Sequence, residues 1–138
     1  MYGNVEREAR QAGLNLIWPP RLPDTRRALA AAEWVRRYEP GKFPQFHRDL
    51  FAAHFVLGED LGSETVVYRH ADDLGIDVQS LRAALADGSA MAAVGEAEAL
   101  GRRYGVHGTP AWWIAGQLIS GLLPAQEFEC LAEAATHA

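Results

Sequence analysis

Apolar residues recur at helical spacing over most of the chain and at strand spacing only near its C-terminal end. A short polar helix is predicted over residues 2–13, with Gly13 as its stop. Trp18-Pro19-Pro20-Arg21-Leu22-Pro23 then reads as an extended connection, because proline lacks an N–H and restricts the residue before it. Asp24 is placed as the N-cap of a helix from Thr25 to about Tyr38, with Ala28, Leu29, Ala32 and Val35 as one inward stripe. Pro40 and Gly41 end it. Pro44 suits the first turn of the next helix, where Phe43, Phe46, Leu50, Phe51, His54 and Leu57 form the strongest amphipathic pattern, with Gly58 as stop.

Three more helices follow. Ser63 caps one running to Leu74, with Val66, Val67, Ala71 and Leu74 inward and Gly75 after it. Asp77 opens a short one carrying Val78, Leu81 and Leu85, closed by Gly88. Ser89 opens another with Met91, Val94, Ala97 and Leu100 inward, and Gly105 follows Tyr104. The period then changes. Residues 111–115 (Ala-Trp-Trp-Ile-Ala) form an aromatic, branched strand, and Gly116-Gln117 reads as a two-residue turn of type II′. Residues 118–121 return as a second strand, and Pro124 starts a final helix over residues 125–136 with Phe128 and Leu131 on one face. Two strands alone make a marginal sheet, so the hairpin needs helices or further strands to pack on.

The chain has 138 residues, of which 49% are apolar and 22% charged; that is globular composition of one-domain length. No apolar run is long enough to span a membrane, and the N-terminus is polar from the start, so a cytoplasmic location is expected. Net charge is −5, which argues against a nucleic-acid partner. The single cysteine, Cys130, excludes an internal disulfide, a Cys-x-x-Cys pair and a cysteine-based zinc cage within these residues. Among Glu127, Glu129 and Glu133 it reads as a small core residue, since a reactive thiolate needs a positive setting.

His47 and His54 share a helix face, but two turns is about 10 Å, too far for one ion without a further element. They read as partly buried histidines at a helix seam, and no metal is expected. Trp112 and Trp113 are consecutive on a strand and point to opposite faces; one is expected in the core, the other at a groove or interface. The most specific local feature is Gly105-Val106-His107-Gly108-Thr109-Pro110, two glycines around a turn and a proline at the mouth of a strand. Proline is tolerated there at the first strand position or in a cis turn. A cis Thr109–Pro110 bond would leave the Thr109 backbone facing outward, free to pair with an extended peptide or a thiol ligand.

From this loop onward the sequence resembles the C-terminal half of DsbA-type thioredoxin-fold proteins: Gly105-Val106, Gly108-Thr109-Pro110, an aromatic strand, a tight turn, Ile119-Ser120-Gly121, Pro124 and a closing helix with Phe128. It is most similar to the FrnE-like and 2-hydroxychromene-2-carboxylate isomerase branches. Pro23-Asp24-Thr25 with Ala28, Phe46-His47 with Leu50-Phe51 and Phe55, and Leu74-Gly75-Ile76-Asp77 with Leu81 and Leu85 resemble segments of their helical insertion, and Asn4-Val5-Glu6-Arg7 with Gly13-Leu14 resembles the approach to it.

The resemblance implies a mostly helical α/β, thioredoxin-like fold in truncated form: an entry segment over 1–24, a helical insertion over 25–104, and the C-terminal thioredoxin part over 105–138. Pro110 would be the fold's cis-proline, and His107, Gly108 and Thr109 would line the substrate site beside Trp112 and Trp113. The family's N-terminal strand, Cys-x-x-Cys helix and second strand have no counterpart, so the chain reads as a fragment, a truncated product or a divergent remnant, with no catalytic residue assigned. The resemblance implies a thiol-disulfide oxidoreductase family protein without redox activity of its own. Alternatives are a glutathione-dependent isomerase-like protein, with glutathione as the one cofactor in view, and a non-catalytic peptide-binding module. An exposed hairpin edge predicts a homodimer.

Overall fold

The computed structural model describes residues 3–18 and 22–136. The polypeptide is mostly helical, with seven helices and one two-stranded antiparallel sheet among the described residues. It divides into two compact units, Met1–Val94 and Gly95–Ala138.

The first unit holds α1 (Gly3–Gln11), α2 (Arg26–Tyr38), α3 (Phe43–Phe55), α4 (Glu64–Asp73), α5 (Val78–Ala86) and the start of α6 (Ser89–Arg103). Helix α2 is its centre, touching α3, α4 and α5. The core is built from Ala30, Ala31, Trp34 and Val35 of α2, Phe46, Leu50 and Ala53 of α3, Val67, Tyr68 and Ala71 of α4, and Leu81 of α5. Alanines at the contacts let the backbones approach, and Phe46, Leu81, Val35 and Val67 fill the space between them. Arg82 of α5 stacks over the Tyr68 ring at 4.1 Å, and Arg27 of α2 pairs with Glu64 of α4 at 3.1 Å. The segment after α1 is held by Ile17 N–H donating to the Phe55 carbonyl at 2.6 Å and by Trp18 Nε1–H donating to Glu6 Oε1 at 3.0 Å.

Several expectations are corrected. Leu29, Phe51, Leu57, Met91 and Leu100 are exposed rather than inward. In α2 the buried face keeps Ala28 and Val35 of the expected stripe but takes Ala30, Ala31 and Trp34 in place of Leu29, and in α6 the buried residues are Ala90 and Ala93. Close helix packing selects small residues, and a reading weighted by side-chain size selects the larger neighbour. At the start of α2, Thr25 takes the cap position without a side-chain bond, and Asp24 Oδ1 accepts from the Arg26 N–H at 3.1 Å. The Ser63 hydroxyl caps nothing, whereas Asp77 does cap α5, accepting from the Ser80 N–H at 3.0 Å. Cys130 is exposed, not a core residue. In the proline-rich connection, Pro19, Pro20 and Arg21 lie outside the described residues.

The second unit contains the rest of α6, strand β1 (Ala111–Ile114), strand β2 (Gln117–Ser120) and α7 (Ala125–Thr136). The strands pair Ala111 with Ser120, Trp112 with Ile119, Trp113 with Leu118 and Ile114 with Gln117. The hairpin turn is therefore Ala115-Gly116, with φ of +49° and +79°, and Gln117 belongs to β2. Two positive φ values in succession make a type I′ turn, whose twist suits a hairpin. The expected Gly116-Gln117 turn lies one residue too late. No described helix is long and apolar enough to cross a membrane.

Candidate functional site

The loop before β1 is launched by the end of α6. Gly105 has φ +79°, a left-handed conformation that a residue with a Cβ adopts only under strain. This lets the Val106 N–H reach back to the Gly101 carbonyl at 3.0 Å while the Gly105 N–H donates to the Arg102 carbonyl at 3.0 Å. That pair of bonds is a Schellman stop, which satisfies two terminal carbonyls and turns the chain sharply. Four exposed residues follow: His107, Gly108, Thr109 and Pro110. The Thr109–Pro110 peptide bond is cis. The Pro110 carbonyl accepts from the Gly121 N–H at 2.9 Å, extending the hairpin one step beyond its Ala111–Ser120 pair. Among the described residues, the N–H and C=O of Thr109 have no backbone partner.

The hairpin presents one tryptophan on each face, as consecutive strand residues must. Trp112 shares its face with Ile119 and meets Phe128 of α7 edge to face, with ring centroids 4.9 Å apart. Trp113 shares the other with Leu118 and packs on Tyr104 at 4.5 Å. Neither ring is core: Trp112 is 41% exposed and Trp113 50%. The expectation of one buried and one outward tryptophan is thus corrected. Each gains one aromatic contact from a helical segment, and both keep a large apolar surface in water.

Tyr104 and Phe128 are the members of this cluster that sequence reasoning left out of the site. Tyr104 carried one usable signal, an aromatic directly before the glycine stop of a helix. Cys130 lies on the exposed surface of α7, near Glu127, Glu129 and Glu133 in sequence. Elsewhere, His47 is exposed and His54 is buried. No group of three metal-ligating side chains occurs among the described residues. An ionic cluster joins α4 to the loop before it: Glu59 accepts from Arg69 at 2.6 Å and contacts His70 Nε2 at 2.8 Å. The His70 bond, with Arg69 behind it, holds the Glu59 carboxyl below the usual carboxylate range.

Chemically, the loop offers an extended ligand two free backbone groups and flanking aromatic surface. No curated protein matches the chain. A family model, the DSBA-like thioredoxin domain, matches residues 1–135. With that match running through the helices and on through the Pro110 loop, the hairpin and α7, the chain belongs to the DSBA-like thioredoxin domain family.

Proposed function

We propose that this chain is a binding module that holds an extended peptide, or a small thiol such as glutathione, at the His107–Pro110 loop, and does not itself exchange disulfides. The observation that carries the reading is the free Thr109 backbone beside two half-exposed tryptophans. An extended segment gains main-chain hydrogen bonds at such a place, and aromatic surface contributes the apolar contact. A single cysteine supplies no dithiol pair within these 138 residues, and thiol exchange by the usual route needs two. Within the family, the order of Pro23-Asp24-Thr25, Phe46-His47 and Leu74-Gly75-Ile76-Asp77 supports the FrnE-like branch.

Titration of a cysteine-containing extended peptide, followed by backbone amide NMR, tests the reading. The Gly108, Thr109 and Ala111 signals shift and saturate, and the chain shows no turnover in insulin reduction. Unmoved signals at these residues, or turnover above background, overturn it.

We also infer self-association. None of the described residues 95–136 is buried, and the two-stranded sheet has an open outer edge on each strand. A second copy pairing along one edge would satisfy these backbone groups, and one packed on a hairpin face would cover a tryptophan. Sedimentation of a monomer at micromolar concentration counts against it.

A further inference from the structure

The first unit carries a concave surface with no part in peptide binding. Residues of α2, α4 and α5, with Met91 of α6, line an open groove of about 500 Å³. That volume lies within the usual range for small-molecule sites, about 300–1,000 Å³. Its charged lining is three arginines, Arg26, Arg27 and Arg82, and two carboxylates, Asp24 and Glu64. On a chain of net charge −5 this is a local excess of positive charge. The three arginines differ in what they have left to give. Arg26 donates from Nε and Nη2 to the Asp24 carboxylate, so that pair is closed on itself. Arg27 donates from Nη1 to Glu64 at 3.1 Å and keeps its other N–H groups. Arg82 has no carboxylate partner among the described residues, and its guanidinium lies over the Tyr68 ring, 4.1 Å from the centroid.

Tyr68 is the second signal. It is 8% exposed, yet its hydroxyl has no hydrogen-bond partner among the described residues, and it lines the groove beside Arg82. Tyrosine hydroxyls in largely buried side chains usually find a partner. The planar guanidinium carries its N–H donors around its edge, and stacking on a ring leaves that edge free to grip a carboxylate with two parallel bonds. Leu85, Ala86 and Met91 supply apolar lining to the same groove. Glu64 and Asp24 oppose a second negative charge on a ligand, which disfavours a dianion such as phosphate. We propose that this groove binds a small monocarboxylate with an apolar body, its carboxylate on Arg82 and the Tyr68 hydroxyl and its apolar part against Leu85, Ala86 and Met91.

The test titrates the whole chain with 3-phenylpropanoate and with its amide, which has the same shape and no charge. The Nε–H signal of Arg82 and the backbone amides of α4 and α5 are followed by NMR. The carboxylate saturates with a Kd below about 1 mM, and the amide binds about tenfold more weakly, as a hydrogen bond to a charged group implies. The carboxylate alone moves the Arg82 Nε–H signal. Arg82→Gln weakens the carboxylate about tenfold and leaves the amide's affinity unchanged. Tyr68→Phe keeps the ring under Arg82 and weakens the carboxylate about two- to tenfold, with helical circular dichroism unchanged. The proposal fails if the carboxylate does not saturate, if the amide binds equally, or if Arg82→Gln leaves the carboxylate's affinity intact. It also fails if inorganic phosphate displaces the carboxylate at equal concentration, which would show an anion patch without an apolar subsite.

Discussion

The two units of the chain make opposite use of similar apolar material. In the first, α2 to α5 bury Val35, Phe46, Val67 and Leu81 completely, around contacts made close by alanine. In the second, Tyr104 after the end of α6, the hairpin and α7 bring four aromatic rings into two pairs, and no described residue from 95 to 136 is buried. The reason lies in topology. Helices that cross each other enclose a volume, so apolar area converts into packing. A two-stranded sheet has two faces and two edges, and a pair of flanking aromatic contacts cannot close them all. The first unit buries its apolar surface; the second leaves much of it in water.

The largest test of this difference truncates one ring in each unit. Phe46→Ala removes a fully buried ring and should cost about 3–5 kcal/mol, seen as a lower urea midpoint. Trp112→Ala and Trp113→Ala each lose one aromatic contact at a half-exposed site, and each should cost about 1 kcal/mol. Similar small effects from the two tryptophans fit the even exposure of the faces. A cost above 3 kcal/mol for either would show that the hairpin carries core packing after all.

The second test uses pH on the first unit. Glu33 of α2 accepts hydrogen bonds from Arg36 and Arg37, all at 2.7 Å. The Arg36 bond, then that of Arg37, lowers the Glu33 carboxyl from 4.5 to about 2 despite partial burial. A carboxyl depressed in the folded state stabilises fully above its unfolded value, and the contribution is lost as pH falls through about 2. Both arginines are partly in water, at 52% and 32% exposure, so solvent screens the pair. Glu33→Gln should therefore cost about 1 kcal/mol at neutral pH and almost nothing near pH 2, by urea denaturation at both. Equal loss at both pH values would exclude the ion pair as the cause.

Element order and the helix stops were legible in the sequence because they depend on local chemistry. Gly13, Gly75 and Gly105 each follow a helix end where predicted, and Pro44 stands in the first turn of α3. The loop before β1 was legible for the same reason, two glycines and a proline at close spacing. The facing of α2 was legible in part, with Ala28 and Val35 buried as expected; the burial of Ala30, Ala31, Ala90 and Ala93 was not, because alanine wins over leucine only when a second helix approaches, and that partner lies elsewhere in the chain. The pairing of Trp112 with Phe128 and Trp113 with Tyr104 is likewise set by tertiary contact. So is the unpaired Nδ1 of His54, since no sequence pattern records which buried groups lack a partner. The turn chemistry of the His107–Pro110 loop could be read; the aromatic contacts beside it could not.

The smallest predicted effect gives the sharpest division between the units. Ala115 sits at φ +49° in the hairpin turn, where its Cβ crowds the backbone. Asparagine tolerates this conformation better, and Asn-Gly is the preferred pair for a type I′ turn. Ala115→Asn should stabilise the hairpin by about 0.5–1 kcal/mol, since it removes strain without touching any packed atom. If the second unit opens separately from the first, amide exchange at Trp112 and Leu118 slows about two- to fivefold, while exchange in the α2 and α3 core and the urea midpoint stay unchanged. If the two units unfold together, the midpoint rises by the same free energy and the core amides slow in step. The first outcome fits a rigid helical core carrying a compliant, adaptable binding hairpin. The second would mean that the hairpin draws its stability from the core, and that its exposed tryptophans are held in place for a ligand rather than free to adapt to one.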